Sequence, residues 1–185
     1  MVKEEFRKAY SVMIGVRNLW RMGNSFVETI SQLMKDQNNI DAINLLATQA
    51  TELLSKSIIA SSICLHYPLK DEECLKLLID NEFRKLNHHL DKILQVPEIK
   101  NLLNIQDVTV SHNGLVNEYQ ITIVGSDEIL LFKTLEAARY GFFSARKDVV
   151  RNLQPEGIGE FLKELSDKAA DKIKTVEEFL MGYNK

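Results

Sequence analysis

Five residues have types and spacing that could do chemistry. Glu52 and Lys56 are four apart in the stretch Glu52-Leu-Leu-Ser-Lys56, so they meet on one helix face if that stretch is helical. Arg84, His88 and His89 fall together in Glu82-Phe-Arg-Lys-Leu-Asn-His-His89. A guanidinium carries a fixed charge, an imidazole changes charge near neutral pH, and a carboxylate and an ammonium can pair with each other. Other catalytic signatures are missing. The chain has no P-loop, no GxGxxG, no HExxH, no GxSxG and no Cys/His spacing of the zinc type, so no cofactor or metal is expected.

Each group also has a plainer reading. Helix geometry sets Arg84 and His88 about 40° apart, opposite the stripe Leu86, Leu90 and Ile93, and sets His89 about 60° from the stripe's centre, at its border. That predicts an exposed His88 and a half-buried His89, which could be no more than a solvated face with one boundary histidine. Glu52 and Lys56 could be an ordinary i,i+4 ion pair. They lie, however, where their helix becomes apolar all round, which predicts a partly desolvated pair that must be mutually satisfied or turned into a polar cleft. A third stretch, Lys133 to Leu153, interleaves Arg139, Arg146, Lys147 and Arg151 with Tyr140, Phe142 and Phe143. Such a pattern could hold phosphate and stack bases, although aromatics at helical spacing are more often core.

The elements that must position these residues are mostly helical. Gly (8) and Pro (3) are scarce in the 185 residues, which lets helices run long. Periodic apolar residues predict a first helix over about Lys3 to Lys35, with Gly15 and Gly23 marking a close crossing or a bend. A second follows over about Ile40 to His66, with Asn39 as a plausible N-cap. The run Ile58 to Leu65 is apolar nearly all round, which predicts a central second helix. A third is expected over Glu72 to Gln95, capped by Asp71, with a short piece from Pro97 to Asn104. The pattern then alternates. Val108 to Val110, an Asn113-Gly114 turn, Tyr119 to Val124 and Ile129 to Phe132 predict a β-appendage within about Asp107 to Phe132. Helix is expected again over about Thr134 to Leu153 and Ile158 to Tyr183. The fold class predicted is thus mainly α: one helical-bundle domain over residues 1–185 with long helices and a small inserted hairpin or three-strand appendage.

A net charge of −3 argues against a whole-protein basic field, so any nucleic-acid contact must come from a local patch. The N-terminus does not resemble a signal peptide, and the most apolar run is too short to span a bilayer. Cys64 and Cys74 read as reduced thiols. A cytoplasmic protein without membrane contact is expected.

Two of these motifs together resemble the HEPN superfamily, a helical-bundle group of nucleotide- and RNA-associated domains. Glu52-x3-Lys56 looks like its acidic-or-polar residue, three spacers and lysine on the second helix. Arg84-x4-His89 looks like its Arg, four to six spacers and His on a later helix, and His89-Leu-Asp-Lys92 is similar to the His-x2-Lys of the AbiV-like branch. The resemblance covers about Val2 to Gln95. Lys85 departs from the Asn, Asp or His that usually follows the Arg in active members. The resemblance implies a metal-independent endoribonuclease of a defence or toxin–antitoxin type system, or a non-catalytic nucleotide- or RNA-binding relative. In it Arg84 would steady the scissile phosphate and His89 or His88 would assist attack by the RNA 2′-hydroxyl. It also implies a homodimer, because the family pairs these residues across a two-fold axis. The competing expectations are a protein-binding scaffold that offers the hairpin as a docking edge and a sensor with a small-molecule pocket in the bundle.

Overall fold

The structure is a computed structural model and describes residues 2–35, 40–68, 70–113, 116–126, 129–133 and 155–182. The helix expected over Thr134 to Leu153, the cap at Asn39 and the hairpin tip at Gly114 lie outside the described residues.

The described elements are α1 (Val2–Leu33), α2 (Ile40–His66), α3 (Glu72–Leu86), α4 (Leu90–Leu94), α5 (Pro97–Leu102), β1 (Ile105–Asn113), β2 (Val116–Ile123), β3 (Ile129–Lys133) and α6 (Pro155–Gly182). The fold is mainly α with a small antiparallel sheet. Helices α1, α2 and α6 pack on one another, and α3 lies against α1 and α2.

Helix α2 is the central one. Ala47, Ala50, Leu54, Ile58, Ala60 and Cys64 are all fully buried along it. Its sequence is also rich in Ser and Thr, which would be costly in a core if left unpaired. Three of those hydroxyls turn back onto their own helix: Thr51 donates to the Ala47 carbonyl, Ser57 to Leu54 and Ser61 to Ser57, at 2.7–2.8 Å, whereas Ser62 donates to Glu98 of α5. Gly23 explains how closely α1 approaches. A Cβ at that position would stand 2.7 Å from Leu54 Cγ on α2, whereas one at Gly15 would meet nothing within 4 Å. The close crossing expected of the two glycines therefore belongs to Gly23. Between α1 and α6, Arg17 grips both carboxylate oxygens of Glu177, Trp20 Nε1 donates to the Ser166 carbonyl at 3.1 Å and Ser166 Oγ donates to Asn24 Oδ1 at 2.7 Å.

The third helix is shorter than periodicity implies. Asp71 caps it as expected, accepting from the Cys74 amide at 2.7 Å. It ends at Leu86 instead of Gln95, because Asn87 takes φ 50° and ψ −132°, with its N–H closing on the Phe83 carbonyl at 2.7 Å. Asn enters the left-handed region more readily than most residues. Helix resumes at α4, where Leu90, Ile93 and Leu94 are fully buried in the core cluster that also holds Leu54 and Ile58. The apolar stripe runs straight across the break, so its period conceals it.

The sheet has the order β1-β2-β3, with Val108 facing Ile121 and Tyr119 facing Phe132. Val108, Tyr119, Ile121, Leu130 and Phe132 are buried in that same cluster with Phe161 and Leu162 of α6. The outer edge of β1 is taken at Val108: its carbonyl accepts from Gln95 Nε2 at 3.0 Å and its N–H donates to Asp107 Oδ1 at 2.9 Å. A free strand edge invites pairing with another chain, and these two side chains block it locally.

Candidate functional site

Glu52 lies midway along α2, and one turn later stands Lys56; each is only 8% exposed. Lys56 Nζ donates to Glu52 Oε1 at 2.6 Å. The ammonium also sits 5.3 Å from the ring centroid of Phe83 on α3, within the range of a cation–π contact. The partly desolvated, mutually satisfied pair expected of these residues is what the fold holds.

The α3–α4 break supplies the third member. His88 follows Asn87 and turns back toward α2, placing Nδ1 2.8 Å from the same Glu52 Oε1. An ionised carboxylate only accepts, so the proton of that hydrogen bond belongs to Nδ1, and Nε2 is left with the lone pair in the neutral imidazole. The His88 side chain is 62% exposed, while that of Glu52 is 11% exposed. The arrangement is a buried carboxylate that aims one exposed imidazole and is itself neutralised by a buried ammonium. It can do one chemical thing well, which is to hold a general base or acid in a fixed tautomer at the surface.

Arg84 lies in the last turn of α3, exposed, with no hydrogen bond or ion pair among the described residues. The 40° relation between Arg84 and His88 does not apply, because the helix carrying it ends at Leu86. His89 differs more. It is exposed, not half-buried, and stands at the N-cap of α4 without a side-chain capping bond. Its backbone carbonyl accepts from Lys92 and Ile93 at 3.1 and 3.0 Å, so its evident task is to start α4. The structure thus brings together Glu52, Lys56 and His88, leaves Arg84 exposed one helical turn away in sequence, and does not join His89 to them.

A second polar network escaped the sequence reading. Ser62 and His66 of α2, Glu98 of α5 and Lys172 of α6 are linked by hydrogen bonds. Ser62-x3-His66 is an i,i+4 pair visible in the sequence, but nothing local ties it to Glu98 or Lys172.

Cys64 and Cys74 are both free thiols, and Cys64 is buried. Burial pushes the Cys64 thiol up to about 11, so it is a poor nucleophile. Among the described residues no three of His, Cys, Asp and Glu group as metal ligands would, and no helix is long and apolar enough to cross a membrane.

Comparison of the chain with family models, with curated proteins and with solved structures finds no match.

Proposed function

We propose that this protein is a HEPN-like RNA-handling module that cleaves RNA without a metal, with His88 as the proton-transfer group. The observation that carries the reading is the buried Glu52 carboxylate holding Lys56 Nζ and His88 Nδ1 on one oxygen while the His88 ring stays open to solvent. His88 Nε2 takes the proton of a ribose 2′-hydroxyl. The 2′-oxygen attacks the adjacent phosphorus, the P–O5′ bond breaks to leave a 2′,3′-cyclic phosphate, the departing 5′-oxygen takes a proton from water, and the His88 imidazolium returns its proton to the hydroxide that results. Glu52 keeps the imidazole in the useful tautomer and stabilises the imidazolium that forms. Arg84, exposed and without an acidic partner among the described residues, is the group to meet the phosphate charge. Lys56 neutralises Glu52 and is a positioning residue.

The motif resemblance places the family histidine at His89, and the geometry favours His88. A homodimer would cover the exposed Arg84 and His88 with a second surface and double the local basic charge, which one chain of net charge −3 needs. The reading keeps the expectation of a cytoplasmic protein. The alternative is a binding module that grips RNA or a nucleotide through the same two side chains without cleaving. Lys85, in place of the Asn, Asp or His of active members, favours that alternative.

The test is cleavage of a mixed-sequence RNA by the wild type, Arg84→Ala and Glu52→Gln, with and without EDTA. The reading expects EDTA-resistant cleavage, lost or strongly reduced in both variants. RNA binding without cleavage would select the binding module. Neither binding nor cleavage would remove RNA from the account and favour a protein-binding scaffold. A partner strand adding to β1 would then have to displace Gln95 and Asp107 from Val108.

A further inference from the structure

The sheet ends at β1, the first strand in the order β1-β2-β3. The two halves of its outer edge differ. At Val108 both backbone groups turn away from β2 and are taken, the carbonyl by Gln95 Nε2 and the N–H by Asp107 Oδ1. In an antiparallel ladder successive residues turn their N–H and C=O alternately to one side and the other. Val108 fixes the phase. Thr109 and Ser111 therefore bond to Gln120 and Glu118 of β2, while Val110 and His112 turn their backbone groups outward as Val108 does. No hydrogen bond among the described residues meets them there. Val110 is 39% exposed.

Free edges are commonly guarded by a charge, a proline or a bulge. The irregularity of β1 lies between Ile105 and Asp107, and residues 109–113 hold no Lys, Arg, Asp, Glu or Pro. The guard on β1 thus stops at Val108.

We propose that residues 109–113 pair antiparallel with the same stretch of a second copy, about a two-fold axis at Ser111, joining the two sheets into one. In that register Val110 faces the second copy's His112, and the outward N–H and C=O groups of each facing pair bond to one another. The edge allows this register and excludes its neighbours. An axis at Val110 would set His112 against the second copy's Val108, whose groups are taken. An axis at His112 would set Val110 against residue 114, beyond the end of β1. A second copy suits the edge because a two-fold axis sets each side chain close to its own kind, where fixed like charges would repel, and this stretch carries none. A strand running the whole of β1 would displace Gln95 and Asp107, whereas this pairing stops short of them. The inference does not rest on the ribonuclease reading, since Glu52, Arg84 and His88 lie outside β1. A dimer formed elsewhere on the molecule would defeat it and leave that reading intact.

Light scattering of the full chain at high micromolar concentration should give a mass near twice 21.2 kDa. Val110→Pro removes an outward N–H and no bond to β2, and it should weaken the dimer by at least about tenfold with the monomer's melting temperature unchanged. Cross-linking reads the register independently of that variant. In a Cys74→Ser background, which leaves only the buried Cys64, Ser111→Cys sets two thiols across a non-hydrogen-bonded pair with Cα atoms about 4.5 Å apart, within disulfide reach. Thr109→Cys leaves its two thiols about 13 Å apart along the strands. Under mild oxidation Ser111→Cys should form the covalent dimer at least about tenfold faster than Thr109→Cys. A wild type that stays at the mass of one chain, a Val110→Pro variant that folds and dimerises as the wild type does, or equal cross-linking of the two thiol variants would overturn the proposal.

Discussion

Glu52 carries the account at the level of single residues, because one oxygen accepts from both Lys56 Nζ and His88 Nδ1. Removing it alone leaves the Lys56 ammonium, whose side chain is 10% exposed, without its partner. Breaking a buried pair from one side costs about 3–5 kcal/mol, whereas replacing both partners by apolar groups is often close to neutral. Glu52→Leu should therefore destabilise the protein by about that amount in urea unfolding, and Glu52→Leu with Lys56→Met should recover most of it. If the double variant is no more stable than the single, the pair is not what holds this part of α2. A second residue-level expectation concerns pH. Burial moves the Cys64 thiol from its ordinary 9.0 to about 11. Between those values the unfolded chain has lost a proton that the folded chain keeps, so stability falls as pH rises from 9 to 11. Cys64→Ala should flatten that fall, as read from melting temperature against pH. The pairing of Glu52 with Lys56 was legible in the sequence, since i,i+4 spacing on a helix that turns apolar leaves few other outcomes. His88 was not, because its contact with Glu52 depends on a chain reversal that no periodicity reports.

Two elements set the geometry on which those residues depend. The first is the α3–α4 break. Asn87 holds φ 50°, where a β-branched residue is strained. Asn87→Gly should be neutral or stabilising. Asn87→Val should cost about 1–3 kcal/mol and release His88 from Glu52, so that stability and cleavage fall together. The second is the α1–α2 crossing. Gly23→Ala forces a methyl against Leu54 and should cost about 1–3 kcal/mol. Gly15→Ala meets open space and should gain up to about 1 kcal/mol from helix propensity alone. Chemical denaturation of the two variants distinguishes them, and equal effects would mean that the helices do not cross at Gly23. At this scale the sequence was informative where a local signal exists. The bounds of α2 and the Asp71 cap follow from a hydrophobic pattern and one side chain. The end of α3 does not, because Leu75, Ile79, Leu86, Leu90 and Ile93 keep one stripe through the break.

For the whole molecule, the mainly α fold with three short strands agrees with the composition and with the change from helical to alternating pattern near residue 105. Assembly is a separate matter. The ribonuclease reading expects a light-scattering mass near twice the 21.2 kDa of one chain, and a mass that stays at one chain under micromolar conditions would leave Arg84 and His88 uncovered. The long-range ties, Arg17 to Glu177 and Glu98 to Lys172, could not be read from spacing, since each joins segments far apart in the chain. The most direct test of the central claim compares His88→Ala with His89→Ala in metal-free RNA cleavage. The account predicts that His88→Ala loses about 10² to 10⁴ in rate, the range a general acid or base supplies, while His89→Ala stays near wild type. Cleavage unchanged in His88→Ala and lost in His89→Ala would contradict it.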